Sequence, residues 1–137
     1  MIYDKIEDSN EKLFNKVLDG TSIPKTLTIQ LIAANEMKDI GKVVRASDLV
    51  RYVSDGVDVF VILNETIFDR LDDDQQKLIL EELLAQIYVD PESGKLKLLK
   101  PDISTFSLLL TKYGIDFYLG VKETISSIIN ELEATEE

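Results

Sequence analysis

The sequence contains no cysteine, no histidine and no tryptophan among its 137 residues. Without cysteine the chain can form neither disulfides nor thiolate metal sites, which suits a reducing compartment. Without histidine it lacks the commonest zinc ligand, the commonest general base and the usual pH switch. No apolar run reaches the length of a membrane span, and the N-terminal segment lacks the features of a secretory signal. We therefore expect a cytoplasmic protein with no membrane partner and no cofactor.

Basic residues are also scarce, because 15 lysines and arginines stand against 26 aspartates and glutamates, for a formal net charge of −11. This charge repels phosphate groups, so it disfavours direct binding of nucleic acid. Nine acidic but only two basic side chains lie between Glu65 and Glu92, and six against one follow from Asp116 onward. These two stretches predict two acidic surfaces. Such surfaces can attract a basic protein partner, or they can simply keep a protein soluble.

Hydrophobic periodicity predicts an α+β fold in a single domain over residues 1–137. The predicted helices are 3–18, 48–54, 72–87, 102–113 and 116–132, and the predicted strands are 27–31, 42–46, 57–63 and 95–99. We expect one small mixed sheet of about four strands, with the first two strands paired antiparallel and the third strand central. The short second helix is expected to bury Leu49, Val50 and Val53. The acidic C-terminus is expected to fray from about residue 133.

The clearest local signal is the helix that begins at Asp72. The Asp72 carboxylate can accept a backbone N–H bond, and Gln75 stands three residues on, as in a capping box. Apolar residues then recur at helical spacing as far as Ile87, so this helix should pack on the sheet. The Asp72–Asp74 run suits the positive end of the helix dipole, and it lacks the glycine and terminal glutamate of a calcium-binding loop.

From Gly41 to Gly114 the sequence resembles the phage metallopeptidases, small zincin-type domains akin to SprT-like proteases. The segments that carry the resemblance are GKVVRASDLVRYVSDGVDVFVILNETIFDRL, the helix at 72–87, and KLKLLKPDISTFSLLLTKYG. The resemblance implies a zincin-like fold and a phage origin.

The zinc-binding motif is where this sequence departs from that family. The family's helix carries His-Glu-x-x-His, and a third histidine precedes the aspartate that opens the next helix. Here the first ligand position holds Glu81, the base position Glu82, the second ligand position Ala85 and the third Pro101. A catalytic zinc needs about three protein ligands, and neither Ala85 nor Pro101 has a side-chain donor. The resemblance thus implies the fold with its catalytic residues and zinc lost.

The adjacent Glu81–Glu82 pair admits two other interpretations. The two carboxylates could act as a general acid and base, or could bind Mg²⁺ or Ca²⁺ together with Asp90 or Asp102. Alternatively, adjacent helical residues point about 100° apart, so one carboxylate faces solvent while the other bonds a tyrosine such as Tyr88 or Tyr113.

Together these observations predict a catalytically silent binding protein that acts on a host or phage protein with a basic surface. A nucleic-acid-binding partner such as a polymerase or nuclease, inhibited by the contact, fits this chemistry. The candidate binding residues are Asp69, Asp72, Asp73, Asp74, Glu81, Glu82, Asp90 and Glu92. Two alternatives remain open: a hydrolase that uses carboxylates and a divalent metal, and an inhibitor that mimics DNA.

Overall fold

The computed structural model describes residues 2–99 and 109–135. The helices are α1 (Asp8–Asp19), α2 (Asp48–Val53), α3 (Glu65–Phe68), α4 (Asp73–Leu84), α5 (residues 109–113) and α6 (Ile115–Thr135). The strands are β1 (Ile29–Ala33), β2 (Gly41–Arg45), β3 (Val59–Leu63), β4 (Ile87–Val89) and β5 (Leu96–Leu98). This set of helices and strands confirms the predicted α+β fold. The expected start of the fourth helix, at Asp102, lies outside the described residues.

The main sheet is mixed, with the strand order β1-β3-β2. Strand β3 runs parallel to β1 and antiparallel to β2, so that Val61 lies opposite both Leu31 and Val43. Side chains on both faces of β3 are buried, including Val61 and Ile62. The unbroken apolar run in the sequence therefore correctly predicted a central strand covered on both sides.

The predicted antiparallel pairing of β1 with β2 is wrong, because β3 lies between them. The connection over residues 34–40 is bonded to the end of β3 at both of its own ends. The Ala34 amide donates to the Leu63 carbonyl, and the Asn64 amide donates to the Ile40 carbonyl. Residues 34–40 therefore span the width of β3, which lies between β1 and β2. In a two-stranded hairpin the connection would join two adjacent strands instead.

Two predicted boundaries also shift because backbone groups find other partners. The N-terminal helix begins at Asp8 rather than near residue 3, since Asp4 exchanges two backbone hydrogen bonds with Ala33 on the outer edge of β1. Helix α4 ends at Leu84, and Ile87 belongs to β4 instead. Strand β5 pairs antiparallel with β4, so the strands form a three-stranded and a two-stranded sheet rather than one sheet of four.

Helix α4 begins as the sequence predicts and packs closely on β2. The Gln75 amide donates to the Asp72 carboxylate at 2.9 Å, and the Asp72 amide donates to the Gln75 side chain at 3.0 Å, which confirms the capping box. A Cβ atom at Gly41 would lie 2.7 Å from a methyl carbon of Leu83, so glycine lets the helix approach the strand. The same approach fixes the position of Glu81 and Glu82, which directly precede Leu83 in the helix.

Helix α2 forms where predicted, but its expected burial is wrong. Ser47 caps it through a bond from the Val50 amide, yet none of its residues is buried. The exposed fractions are 71% for Leu49, 86% for Tyr52 and 69% for Val53. The main core is built from α1, the three-stranded sheet, α4 and α6, and it includes no side chain from this six-residue helix.

Helix α6, with 21 residues, closes the other side of the core. Its buried residues Val121, Ile125 and Ile128 follow one face at helical spacing and belong to the same cluster as Leu78 of α4. The predicted helix at 116–132 is thereby confirmed. In the part of the chain that is described, none of the helices combines the length and apolarity needed to cross a bilayer.

Candidate functional site

A cleft of about 740 Å³ lies between α1, α4 and α5. Its walls include Lys16 from α1, Glu81 and the α4 C-cap Ala85, and Lys112 and Tyr113 from α5. Glu81 and Ala85 share this cleft because residues four apart lie on the same face of a helix. In the phage metallopeptidases, which this sequence resembles, these two positions carry the first and second zinc ligands. Both positions face the same cleft here, as two ligands of one metal would have to.

A lysine from α5 is bonded to Glu81 in this cleft. The Lys112 ammonium lies 2.5 Å from a Glu81 carboxylate oxygen, and Glu81 has 21% of its side chain exposed. The same ammonium lies 5.3 Å from the centre of the Tyr113 ring, within range of a cation–π contact. Burial, and then the bond to Glu81, raise the pKa of Tyr113 above its ordinary value. Glu81 is thus engaged by neighbouring cationic and phenolic groups.

Glu82 points away from Glu81 and contacts α6. Its carboxylate accepts a bond of 2.9 Å from the Tyr118 hydroxyl and one of 2.5 Å from the Lys122 ammonium. Burial, and then the bond to Glu82, raise the pKa of Tyr118 to about 12. The expectation that a glutamate bonds a tyrosine is confirmed for Tyr113, which bonds Glu81, while the Glu82 partner is Tyr118. The expectation that the other glutamate faces solvent is wrong, because both carboxylates are half-buried and bonded.

The donors at the motif positions do not fit a catalytic zinc. Ala85 supplies only a methyl group, and a metal bound by Glu81 would have to displace the Lys112 ammonium. Pro101, at the third ligand position, lies outside the described residues, and its ring has no donor atom. Zinc in peptidases takes about three protein ligands and a water, a set that these side chains cannot supply.

A comparison with models of known protein families shows which family this chain is related to. A family model described as "Putative phage metallopeptidase" matches residues 2–132. The chain belongs to this phage metallopeptidase family. The match extends well beyond residues 41–114 and takes in α1 and β1, so it covers nearly the whole architecture of this phage metallopeptidase-family protein. No curated protein and no solved structure matches the chain significantly.

The fold also assembles an acidic cluster that sequence reasoning missed. Carboxylate oxygens of Glu7, Glu65 and Asp69 lie within 4.8 Å of one another, the one such group of three or more acidic residues within residues 2–99 and 109–135. Glu81, Glu82 and Asp90 form no comparable group there, and Asp102 is not described. Glu7 and Glu65 are 58 residues apart in sequence, so no local pattern could reveal their contact.

An asparagine amide links this acidic cluster. The Asn10 side-chain nitrogen donates to Glu65 at 2.6 Å and to Asp69 at 3.0 Å, and the Glu7 backbone amide donates to Glu65 at 3.1 Å. Glu65 and Asn10 are both buried, with 6% of each exposed. These hydrogen bonds join the start of α1 to α3. They satisfy the buried polar groups of the cluster and give it a structural role.

Glu7 provides a test of the repulsion in this cluster. The nearby Asp69 and Glu65 carboxylates raise the pKa of Glu7 above its ordinary value of 4.5. A raised folded-state pKa stabilises the fold at low pH, and this stabilisation is lost as the pH rises through that pKa. We therefore expect Glu7→Gln to raise Tm at neutral pH and to lose this advantage below the ordinary pKa of Glu7. Thermal melts over an acid-to-neutral series measure the effect.

The control for this prediction is Glu36→Gln, which removes one negative charge from an exposed loop residue. It should leave the pH dependence of Tm close to that of the unsubstituted chain, since Glu36 is outside the cluster. An equal stabilisation by both substitutions would trace the effect to the net charge of −11 instead of to the contacts of Glu7.

The predicted acidic binding residues divide into two groups. Asp69, Asp72, Asp73, Asp74 and Glu92 are exposed, whereas Glu81, Glu82 and Asp90 are half-buried. A salt bridge of 3.0 Å joins Arg70, next to the first of these residues, to Glu131 near the end of α6. The two acidic stretches of the sequence therefore meet at this bridge. The exposed acids at 69 and 72–74, together with the end of α6, are hereafter called the acidic surface.

Proposed function

We propose that this chain is a non-enzymatic member of the phage metallopeptidase family that binds a host or phage protein through the acidic surface. Its partner presents a basic surface, such as the nucleic-acid groove of a polymerase or nuclease, and binding blocks that groove. The chain works in the cytoplasm of the infected cell. It needs no metal for this activity, because contact and charge suffice.

The observation that carries this proposal is the pair of lysine contacts on α4. Glu81 and Glu82 stand at the first-ligand and base positions of the family motif, and each bonds a lysine ammonium at 2.5 Å. A general base must reach the water that it activates, but the Glu82 carboxylate is held by Tyr118 and Lys122 of α6. These contacts support a structural role for both glutamates.

The acidic surface supports the binding half of the proposal. Asp72, Asp73 and Asp74 are exposed at the start of α4, which the capping box between Asp72 and Gln75 holds in place. The nearby Arg70 is paired with Glu131 of α6 at 3.0 Å, so its positive charge is already offset within the protein. A dense negative field speeds the encounter with a basic partner and weakens with salt.

The experiment compares affinity-tagged chain with the variant Asp72→Asn/Asp73→Asn/Asp74→Asn in capture from bacterial lysate, read by quantitative mass spectrometry. Asparagine preserves the helix cap at position 72, so the variant should fold while losing three charges. We expect a partner with a basic surface to be captured about tenfold less by the variant, and less by both at high salt. Displacement of that partner by added DNA would identify the chain as a mimic of DNA.

The matched control is Asp19→Asn/Glu36→Gln/Asp39→Asn, which removes three exposed acids outside the acidic surface. Capture by this control should equal capture by the unsubstituted chain. Equal loss in both variants would contradict a specific surface. Zinc at about one ion per purified chain, or cleavage of a peptide by pure material, would overturn the absence of enzymatic activity.

One alternative function has an observation in its favour, namely a hydrolase that uses carboxylates and a divalent metal. Glu7, Glu65 and Asp69 supply the oxygen donors that Mg²⁺, Ca²⁺ and Mn²⁺ prefer. A metal that binds only the folded state must raise Tm. If these ions raise Tm of the unsubstituted chain but not of Asp69→Asn, the alternative gains support; if Tm is unchanged in both, it is removed.

A further inference from the structure

A groove of opposite charge lies on another part of the molecule. It has a volume of about 930 Å³ and lies between the end of β2, the start of α2 and the turn before β5. Four basic side chains and two acidic ones line it: Arg45, Arg51, Lys95, Lys97, Asp48 and Asp58. Basic side chains thus outnumber acidic ones in this groove, although the chain as a whole carries a net charge of −11.

The acidic residue deepest in this basic groove is already satisfied within the protein. The Asp58 carboxylate accepts a bond of 2.9 Å from the Thr28 amide and pairs with Arg51 at 3.1 Å. The side chains of Lys95 and Lys97 are exposed at the rim. The groove therefore keeps a positive balance that internal pairing with Asp58 does not remove.

The apolar face of α2 adjoins this groove. Leu49, Tyr52 and Val53 are spaced so that they share one face of the helix, and each is more than two-thirds exposed. The helix is held at both ends, by the Ser47 cap and by the bond from the Gly56 amide to the Arg51 carbonyl. Three large apolar side chains are thus presented to solvent in a fixed arrangement, and exposed patches of this kind mark interaction sites.

We propose that the basic groove and the apolar face of α2 form one docking surface for an acidic segment of another protein that also carries apolar side chains. Its carboxylates contact Arg45, Lys95 and Lys97, while its apolar side chains cover Leu49 and Tyr52. A symmetric pair of copies of this chain would place the basic groove against itself, and this repulsion disfavours a symmetric dimer through this surface. This docking surface is separate from the acidic surface. It binds an acidic partner, whereas the acidic surface binds a basic one.

The probe is a fluorescein-labelled synthetic peptide of about 16 residues in which glutamates alternate with leucine and phenylalanine. Two control peptides replace either its glutamates with lysine or its apolar residues with serine. Fluorescence anisotropy should show binding of the first peptide alone. Variants Arg45→Glu/Lys97→Glu and Leu49→Ser/Tyr52→Ser should each raise Kd about tenfold, since each removes one half of the surface.

The matched charge control is Lys12→Glu/Lys38→Glu, which reverses two exposed lysines elsewhere and should change Kd less than about twofold. All substituted residues are exposed, and circular dichroism checks that each variant folds. Asp72→Asn/Asp73→Asn/Asp74→Asn should leave peptide binding intact, so failure of this inference is distinguishable from failure of the proposed function.

Several results would overturn the inference. They are equal binding of the lysine peptide, equal binding by all variants, and absence of peptide binding at concentrations of about 100 μM. Self-association that depends on Tyr52, measured by analytical ultracentrifugation, would assign the surface to a second copy instead. Sedimentation with vesicles of phosphatidylglycerol, without peptide binding, would assign it to an anionic membrane.

Discussion

Replacing Asn64 with alanine should lower the free energy of unfolding by about 3 kcal/mol. Asn64 has only 2% of its surface exposed and lies between β3 and α3. Its side-chain nitrogen donates to the Met37 carbonyl at 2.7 Å, and its side-chain oxygen accepts from the Ile67 amide at 3.3 Å. Alanine would leave a buried carbonyl and a helix N-terminal amide unpaired at once, which costs more than the loss of either bond alone.

Denaturant unfolding of Asn64→Ala and of Ser47→Ala measures this effect with its control. Ser47 also caps a helix, but it is exposed, and water can replace its bond to the Val50 amide. Its loss should therefore cost only about 1 kcal/mol. Similar costs for the two substitutions would mean that Asn64 acts as an ordinary cap and that its bond to Met37 contributes little.

Replacing Glu82 with alanine should lower the free energy of unfolding by about 2 kcal/mol. The substitution leaves the Tyr118 hydroxyl without this acceptor and the half-buried Lys122 ammonium without its counter-charge. Glu81→Ala is the comparison, because it also removes a tyrosine partner, Tyr113, but its lysine partner Lys112 is 57% exposed and solvent can replace that ion pair. Its cost should therefore be smaller than that of Glu82→Ala. A glutamate kept for catalysis would instead be replaceable with little loss of stability.

Alkaline titration gives a second measurement for Glu82. Burial and the bond to Glu82 raise the pKa of Tyr118 from 10.0 to about 12. This raised pKa stabilises the fold below the ordinary value, and the stabilisation is lost as the pH rises through the folded-state pKa. In Glu82→Ala the phenol should therefore ionise at lower pH, which tyrosinate absorbance detects. Unchanged titration would place the cause entirely in burial.

The parts of the fold that the sequence predicts well are those set by neighbouring residues. Asp72 and Gln75 satisfy each other's backbone amides within one turn, so the pattern alone located the start of α4. The apolar run of β3 predicts a central strand, because a strand buried on both faces needs no alternation. The axis of the candidate site, α4 against the central sheet, was therefore accessible from sequence.

The parts that could not be predicted depend on distant partners. Leu49 and Val53 have the spacing of a buried helix face, but burial depends on where the six-residue helix lies relative to the core. The Glu65 cluster joins residues from α1 and α3, and the Glu82 bond to Tyr118 spans 36 residues. Charge pattern could indicate acidic stretches, but only the fold shows which carboxylates are already bonded to lysine.

The order of strands in the main sheet has a consequence for synthesis of the protein. Because β1 and β2 do not pair with each other, the first two strands to leave the ribosome cannot form a hairpin with one another. Both strands can pair only after β3, whose last residue is Leu63, has been synthesised. The parallel pairing of Ile29 with Val59 also closes a long loop, which slows folding. Apolar segments of the first half therefore leave the ribosome without their partner strand and remain open to aggregation until β3 has been synthesised.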